Sequence, residues 1–185
     1  DVSKYEDVQK VVDLAMNAYG RVDVMFNNAG IMPTGNLIES RRNEWKEMLD
    51  INIMGVLNGI SAVLPIMQKQ KSGHIISTDS VAGHVVYPGS AVYCGTKFAV
   101  RAIMEGLRQE ERENNIKSTI VSPGAVRTEL YKTINDKAAS EALFKLQAKV
   151  AMDSEDIAEA VVFVIETPQH VSVSDIIIRP TKQTV

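Results

Sequence analysis

Tyr93 and Lys97 stand four residues apart, and Ser80 precedes the tyrosine by thirteen. On a helix, positions i and i+4 share a face, so this phenol and this ammonium can lie side by side. A free phenol titrates near pH ~10, and a neighbouring positive charge favours its ionised form. A phenol tuned in this way can move a proton on or off an alcohol oxygen near neutral pH. The bare Tyr-x-x-x-Lys pair is common by chance, and its plain alternative is a core tyrosine beside a solvated lysine. Ser80 taken alone reads equally well as a local cap for the segment that follows it. The elements that would hold these three side chains decide between the readings.

Apolar residues recur at helical spacing from Val8 to Ala18, and Gly20 stops that helix. Val22–Phe26 is a short apolar run that leaves through Asn27-Asn28-Ala29-Gly30, a buried strand with a polar exit. A long helical pattern covers 40–69, with a break expected at Pro65. Strands are expected at His74–Thr78, Lys117–Val121 and Val171–Arg179. Helices are expected over 90–113, interruptedly over 128–150, and from a Ser154/Asp156 cap to Ile165. Strands alternating with helices specify an α/β fold, a doubly wound parallel sheet in three layers. Ligands of such sheets bind at the carboxyl ends of the strands. The polar segments Asn27–Gly30, Ser77–Ser80 and Ser122–Gly124 all fall at such ends.

Composition narrows the function. The 185 residues are 45% hydrophobic, enough for one domain, 1–185, with a sizeable core. A formal net charge of -3 gives no reason to expect a nucleic-acid or anionic-membrane partner. One cysteine, Cys94, excludes an intrachain disulfide and fits a reducing, cytoplasmic setting. Three scattered histidines offer no metal-ligand spacing. No run is expected to be long and apolar enough to span a membrane.

Taken in order, these motifs resemble the short-chain dehydrogenase/reductase family over essentially the whole chain. Asn27-Asn28-Ala29-Gly30 is similar to the family's Asn-Asn-Ala-Gly turn, and Asn52 to its active-site asparagine. Ser80, Tyr93 and Lys97 match its catalytic residues at the family's spacing. Pro123-Gly124, with Val126 and Thr128, resembles its nicotinamide-side segment, and Asp1-Val2 the pair near its adenine pocket. Each has a bland competitor: a strand-ending turn for 27–30 and 123–124, and a solvent-facing helix residue for Asn52. The resemblance implies NAD or NADP as cofactor, bound by Asp1, Val2, Asn28, Ala29, Gly30, Tyr93, Lys97, Pro123, Gly124, Val126 and Thr128. It implies Tyr93 as general acid/base, Ser80 holding the substrate oxygen, Lys97 favouring the phenolate, and Asn52 in a proton relay. It also implies a small carbonyl or alcohol substrate, a lid over 128–150, and a homodimer or homotetramer.

The family's glycine-rich phosphate turn is missing. None of the eleven glycines forms that fingerprint after a strand. The match begins near the end of the family's third strand, so about two and a half of its β–α units are unmatched. The natural protein is therefore expected to be longer, and the fold incomplete on its N-terminal side. The residue that separates NAD from NADP lies in that unmatched part. The alternative is a non-catalytic scaffold or oligomerisation partner unable to bind dinucleotide.

Overall fold

The structure, a computed structural model, describes residues 1–184. Its centre is a four-stranded parallel sheet in the order β1-β2-β3-β4, comprising Val24–Asn27, Gly73–Thr78, Ile116–Pro123 and Asp175–Ile178. Val24 pairs with His74, Ile75 with Ser118, and Ile120 with Asp175, which fixes the register across the sheet. All but the last residue of β2 and all but the last of β3 are buried, as expected of strands covered on both sides.

Alternate residues of the strands feed two cores. On one face Ile75, Ile116 and Ile120 pack with Val12 of α1 (Tyr5–Tyr19), Val63 and Met67 of α3 (Gly55–Gln70), and Val100 and Met104 of α4 (Ala91–Glu110). On the other face Ile76 and Val121 pack with Val161 and Val164 of α6 (Ser154–Glu166). Lys117 on β3 extends its ammonium to the carbonyl and hydroxyl of Thr167, at 3.0 and 2.9 Å, where a positive charge suits the carboxyl end of α6. β1 forms the sheet edge and pairs only with β2, and Phe26 is 38% exposed there.

Three sequence expectations shift. The 40–69 pattern does break, but as α2 (Arg42–Leu49), a widened π turn (Asp50–Met54) and α3, with Pro65 inside α3. Pro65 and Ser61, one turn earlier, are both exposed, so the carbonyl left without an N–H can face solvent. The continuous helix 42–70 is, by length and composition, apolar enough to cross a membrane, contrary to expectation. Its apolar side instead lies against α1 and the sheet. At α6 the cap is Asp153, paired with Asp156 in a reciprocal box, and Ser154 is the first helical residue. The interrupted 128–150 region is a 3₁₀ turn (Glu129–Thr133) followed by α5 (Lys137–Val150).

Candidate active site

The site begins where β1 ends. Asn27 donates to Ser77 Oγ across the sheet at 3.3 Å, and Asn28 Oδ1 accepts from Thr78 Oγ1 at 2.7 Å. The chain then passes Ala29 and Gly30, where a Cβ would stand 3.4 Å from Asn52 Oδ1 and 4.0 Å from Lys97 Nζ. Asn52 explains its own odd place in a helical pattern. It is 1% exposed, lies in the π turn, and binds both backbone groups of Ile31, accepting from the N–H and donating to the carbonyl at 2.9 Å each. Its Nδ2 also donates to Thr96 Oγ1 at 3.2 Å, and Thr96 donates to the Tyr93 carbonyl at 2.7 Å. One amide thus ties the β1 exit to the catalytic helix.

Ser80, Tyr93 and Lys97 come together as the spacing implied. Ser80 is extended, caps the short turn Val81–Gly83 by accepting from Ala82 N, and hydrogen-bonds the Tyr93 phenol. Ser80 thus caps its own turn and still faces the phenol. Tyr93 is buried with Met48, Ala82 and Cys94, and Ile31, Met32, Trp45 and Tyr87 pack around this cluster. Lys97, one turn further along α4, donates to the Thr78 carbonyl at 2.8 Å, with its Nζ 5.8 Å from the Tyr93 ring centre.

Burial reverses the expected ionisation of the phenol. The apolar surroundings of Tyr93 push its pKa up to about 12, against the lowering effect of Ser80, with the charge of Asp79 adding to the rise. Burial pulls Lys97 down to about 8, and Asp79 pushes it back up. Near neutral pH the site thus pairs a protonated phenol with an ammonium close to its titration range. The expectation of a phenolate counted only the neighbouring charge and left out desolvation.

The remaining residues named from sequence lie in separate pieces of the fold. Val2 packs on Gly55 at the start of α3 and accepts from Asn58 Nδ2 at 2.8 Å, while Asp1 folds onto Ser3. Pro123 ends β3, and Gly124 N donates to the Ile178 carbonyl at 2.7 Å. Gly124 admits the Gln183 side chain, whose Oε1 accepts from Ala125 N at 2.8 Å and would stand 2.2 Å from any Cβ at 124. Val126 forms an isolated bridge with Met152, and Thr128 caps the 129–133 turn. Thr133 Oγ1 accepts from Met32 N at 2.9 Å, and the Tyr131 and Phe144 rings meet at 5.1 Å, so 129–144 is docked on the loop after β1.

Sequence reasoning missed Thr96, Asp79 and Gln183. Asp79 carried a signal, a charged residue ending an apolar strand directly before Ser80.

The donor set suits a nicotinamide ribose: Gly30 keeps backbone close to Lys97, and Asn28 is tied to Thr78, whose carbonyl receives the Lys97 ammonium. The described residues hold no glycine-rich turn between a strand and a helix to receive a pyrophosphate. They hold no group of three or more His, Cys, Asp or Glu able to bind a metal.

A parallel α/β sheet with buried Tyr93 and Lys97 and half-buried Ser80 at its strand ends defines a protein of the Rossmann-like class. Residues 1–139 match the family model described as short chain dehydrogenase, and the chain belongs to the short-chain dehydrogenase/reductase family. An uncharacterized oxidoreductase of Staphylococcus saprophyticus is 54% identical over 186 residues, which cover 100% of this chain and 75% of the relative. The closed form of serine dehydrogenase complexed with NADP+ superposes with a TM-score of 0.92 at 30% identity, over 100% of this chain and 75% of that one. An alcohol dehydrogenase from the archaeon Thermococcus sibiricus, complexed with 5-hydroxy-NADP, gives 0.85 at 28% identity, over 99% and 73%. The protein is an oxidoreductase of this family, and it spans about three quarters of the length of these relatives.

Proposed function

We propose that the protein interconverts a small carbonyl compound and its secondary alcohol with NAD or NADP. The observation that carries this reading is half-buried Ser80 beside buried Tyr93 and Lys97, with Asn52 locking the turn next to them. When bound, the nicotinamide exchanges a hydride with the substrate carbon. Tyr93, protonated in its buried setting, donates its proton to the carbonyl oxygen in reduction and takes it back in oxidation. Ser80 donates to the same oxygen and holds it within reach of the phenol. Lys97 holds ribose hydroxyls and lowers the cost of leaving a phenolate behind. Asn52 holds the Gly30–Ile31 backbone against that lysine and gives the proton relay its fixed wall. The docked 129–144 segment covers the substrate, and Met32, Tyr87 and Tyr131 give its pocket an apolar character. The NADP complexes of serine dehydrogenase and the archaeal alcohol dehydrogenase support a dinucleotide here.

The test is Tyr93→Phe, which removes one oxygen and leaves the ring packing in place. Reductase turnover should fall by about 10²–10⁴-fold with the melting temperature nearly unchanged. A Tyr93→Phe protein that keeps most of its activity would refute the assignment. We also propose a homodimer or homotetramer, supported by exposed Leu49 and Met54 on the helical stretch that carries Asn52.

A further inference from the structure

Asp79 takes no part in the mechanism above, yet its carboxylate is sealed beneath the catalytic residues with its side chain 0% exposed. It lies between Thr78, whose carbonyl receives the Lys97 ammonium, and Ser80, which binds the phenol. Its Oδ1 has no hydrogen-bond partner among the described residues. Gly83 makes the seat possible, because a Cβ there would stand 2.4 Å from both carboxylate oxygens. A buried carboxylate with an unsatisfied oxygen is costly, and its burial calls for a compensating charge.

That charge comes from one direction and a path to solvent from the other. Lys97, buried on α4 with its ammonium on the carbonyl of the preceding residue Thr78, is the charge that most favours the ionised Asp79 carboxylate. On the opposite side Asp79 Oδ2 accepts from Ser122 Oγ at 3.2 Å, and Ser122 Oγ lies 3.0 Å from His84 Nε2. His84 Nε2 is itself 3.6 Å from the Asp79 carboxylate. Arg101 lies against the His84 ring, and an Arg can only donate, so it favours a neutral imidazole. His84 and Arg101 line an open cleft of about 520 Å³ with Gly83, Phe98 and Ala102, so the row ends at solvent.

We propose that Asp79 is a positioning residue that acts through Lys97: its carboxylate holds the buried ammonium charged, and Ser122 and His84 connect that carboxylate to protons in the cleft. This role rests on the reading of Lys97 as part of a dehydrogenase site. The other groups facing the row are Arg101 on α4, which favours the ionised carboxylate, and the Tyr93 phenol, whose ionisation the carboxylate opposes. Asp175 and Arg179 face His84 from β4 and the segment after it, the first favouring its charged form and the second opposing it. Asp79 titrates at about 6 because burial outweighs Lys97 and Ser122, and Lys97 titrates at about 8. Both groups are therefore charged between those two values, and one of them is neutral on either side.

The signs differ for the two ends. Asp79→Asn removes the charge that raises Lys97, so Lys97 should lose its proton at a pH lower by about one unit or more. Ser122→Ala removes a hydrogen bond that favours the carboxylate, so Asp79 should gain its proton at higher pH.

Both shifts are read directly by NMR on the protein without cofactor, using the ¹³Cε resonance of Lys97 and the ¹³C carboxyl resonance of Asp79. In turnover assays of the intact protein, Asp79→Asn should move the alkaline limb of carbonyl reduction to lower pH. Ser122→Ala should move the acid limb to higher pH. A Lys97 titration unchanged in a folded Asp79→Asn protein overturns the proposal. If Asp79→Asn does not fold, a Lys97 resonance in Ser122→Ala that fails to follow the displaced Asp79 titration overturns it equally. Because the titrations need no turnover, an inactive wild-type protein with coupled titrations would sink the dehydrogenase reading and leave the coupling standing.

Discussion

Thr119 fixes the tautomer of His74. Its hydroxyl donates to the Val173 carbonyl at 2.6 Å, so toward His74 it can only accept, at 2.7 Å, and the ring proton is on Nε2. Burial, with Lys117 nearby, holds His74 down to about 4. The folded pKa lies below the unfolded value of about 6.5, so the folded protein resists protonation that the unfolded chain accepts. His74 therefore costs no stability above pH 6.5 and progressively more as the pH falls toward 4. By pH 5 the loss attributable to this residue is about 2 kcal/mol. His74→Gln should remove that much of the difference in urea stability between pH 7 and pH 5; an unaltered difference would show that the ring is free to charge. The same contrast explains what was legible at this scale. Side-chain identities and spacing were enough to bring Ser80, Tyr93 and Lys97 into one site. Protonation states were not legible, because desolvation of Tyr93 and the buried carboxylate of Asp79 depend on contacts from distant parts of the chain.

Helix α3 lies unusually close to the β1 exit. A Cβ at Gly59 would stand 2.0 Å from Asn27 Oδ1 and 3.0 Å from its Cγ, so this glycine sets the distance between helix and strand. Gly59→Ala should destabilise the protein by about 1–3 kcal/mol through overpacking, read as a lowered midpoint in urea. A midpoint at or above wild type would mean that the asparagine can move aside freely. Elements with strong local signals were readable from sequence: Gly20, at φ 72°, ends α1 as its position implied. The π turn at Asp50–Met54 was not readable, because its cause is tertiary. It turns Asn52 inward to the Ile31 backbone, whereas Pro65, the conspicuous breaker, is accommodated on an exposed face. The fourth strand was read too long for a related reason: Asp175–Ile178 is set by pairing with Ile120–Pro123, not by the length of its apolar run.

As a whole the molecule has a buried centre and two open edges. β2 and β3 are buried, whereas β1 and β4 each pair on one side only and α1 exposes Val11, Leu14 and Tyr19. Apolar edges of this kind favour further pairing. The architecture around Tyr93 was legible because its motifs are local. Its proposed self-association was legible only by resemblance. Met54, 45% exposed two residues after Asn52, is where that association is best tested. Met54→Glu should convert a dimer or tetramer to monomer in sedimentation velocity with the helical signal retained; an oligomer of unchanged mass would place the interface elsewhere. The central claim, a hydride-transferring site built on Tyr93, is tested most directly by isotope transfer. The intact protein is incubated with reduced nicotinamide cofactor carrying deuterium at the transferable C4 position, in NAD and NADP forms, and a panel of small ketones. The expected result is an alcohol product carrying one deuterium at the former carbonyl carbon, formed with at least one of the two cofactors. A folded, cofactor-saturated protein that forms alcohol without the label, or forms none from any of the ketones, would contradict it.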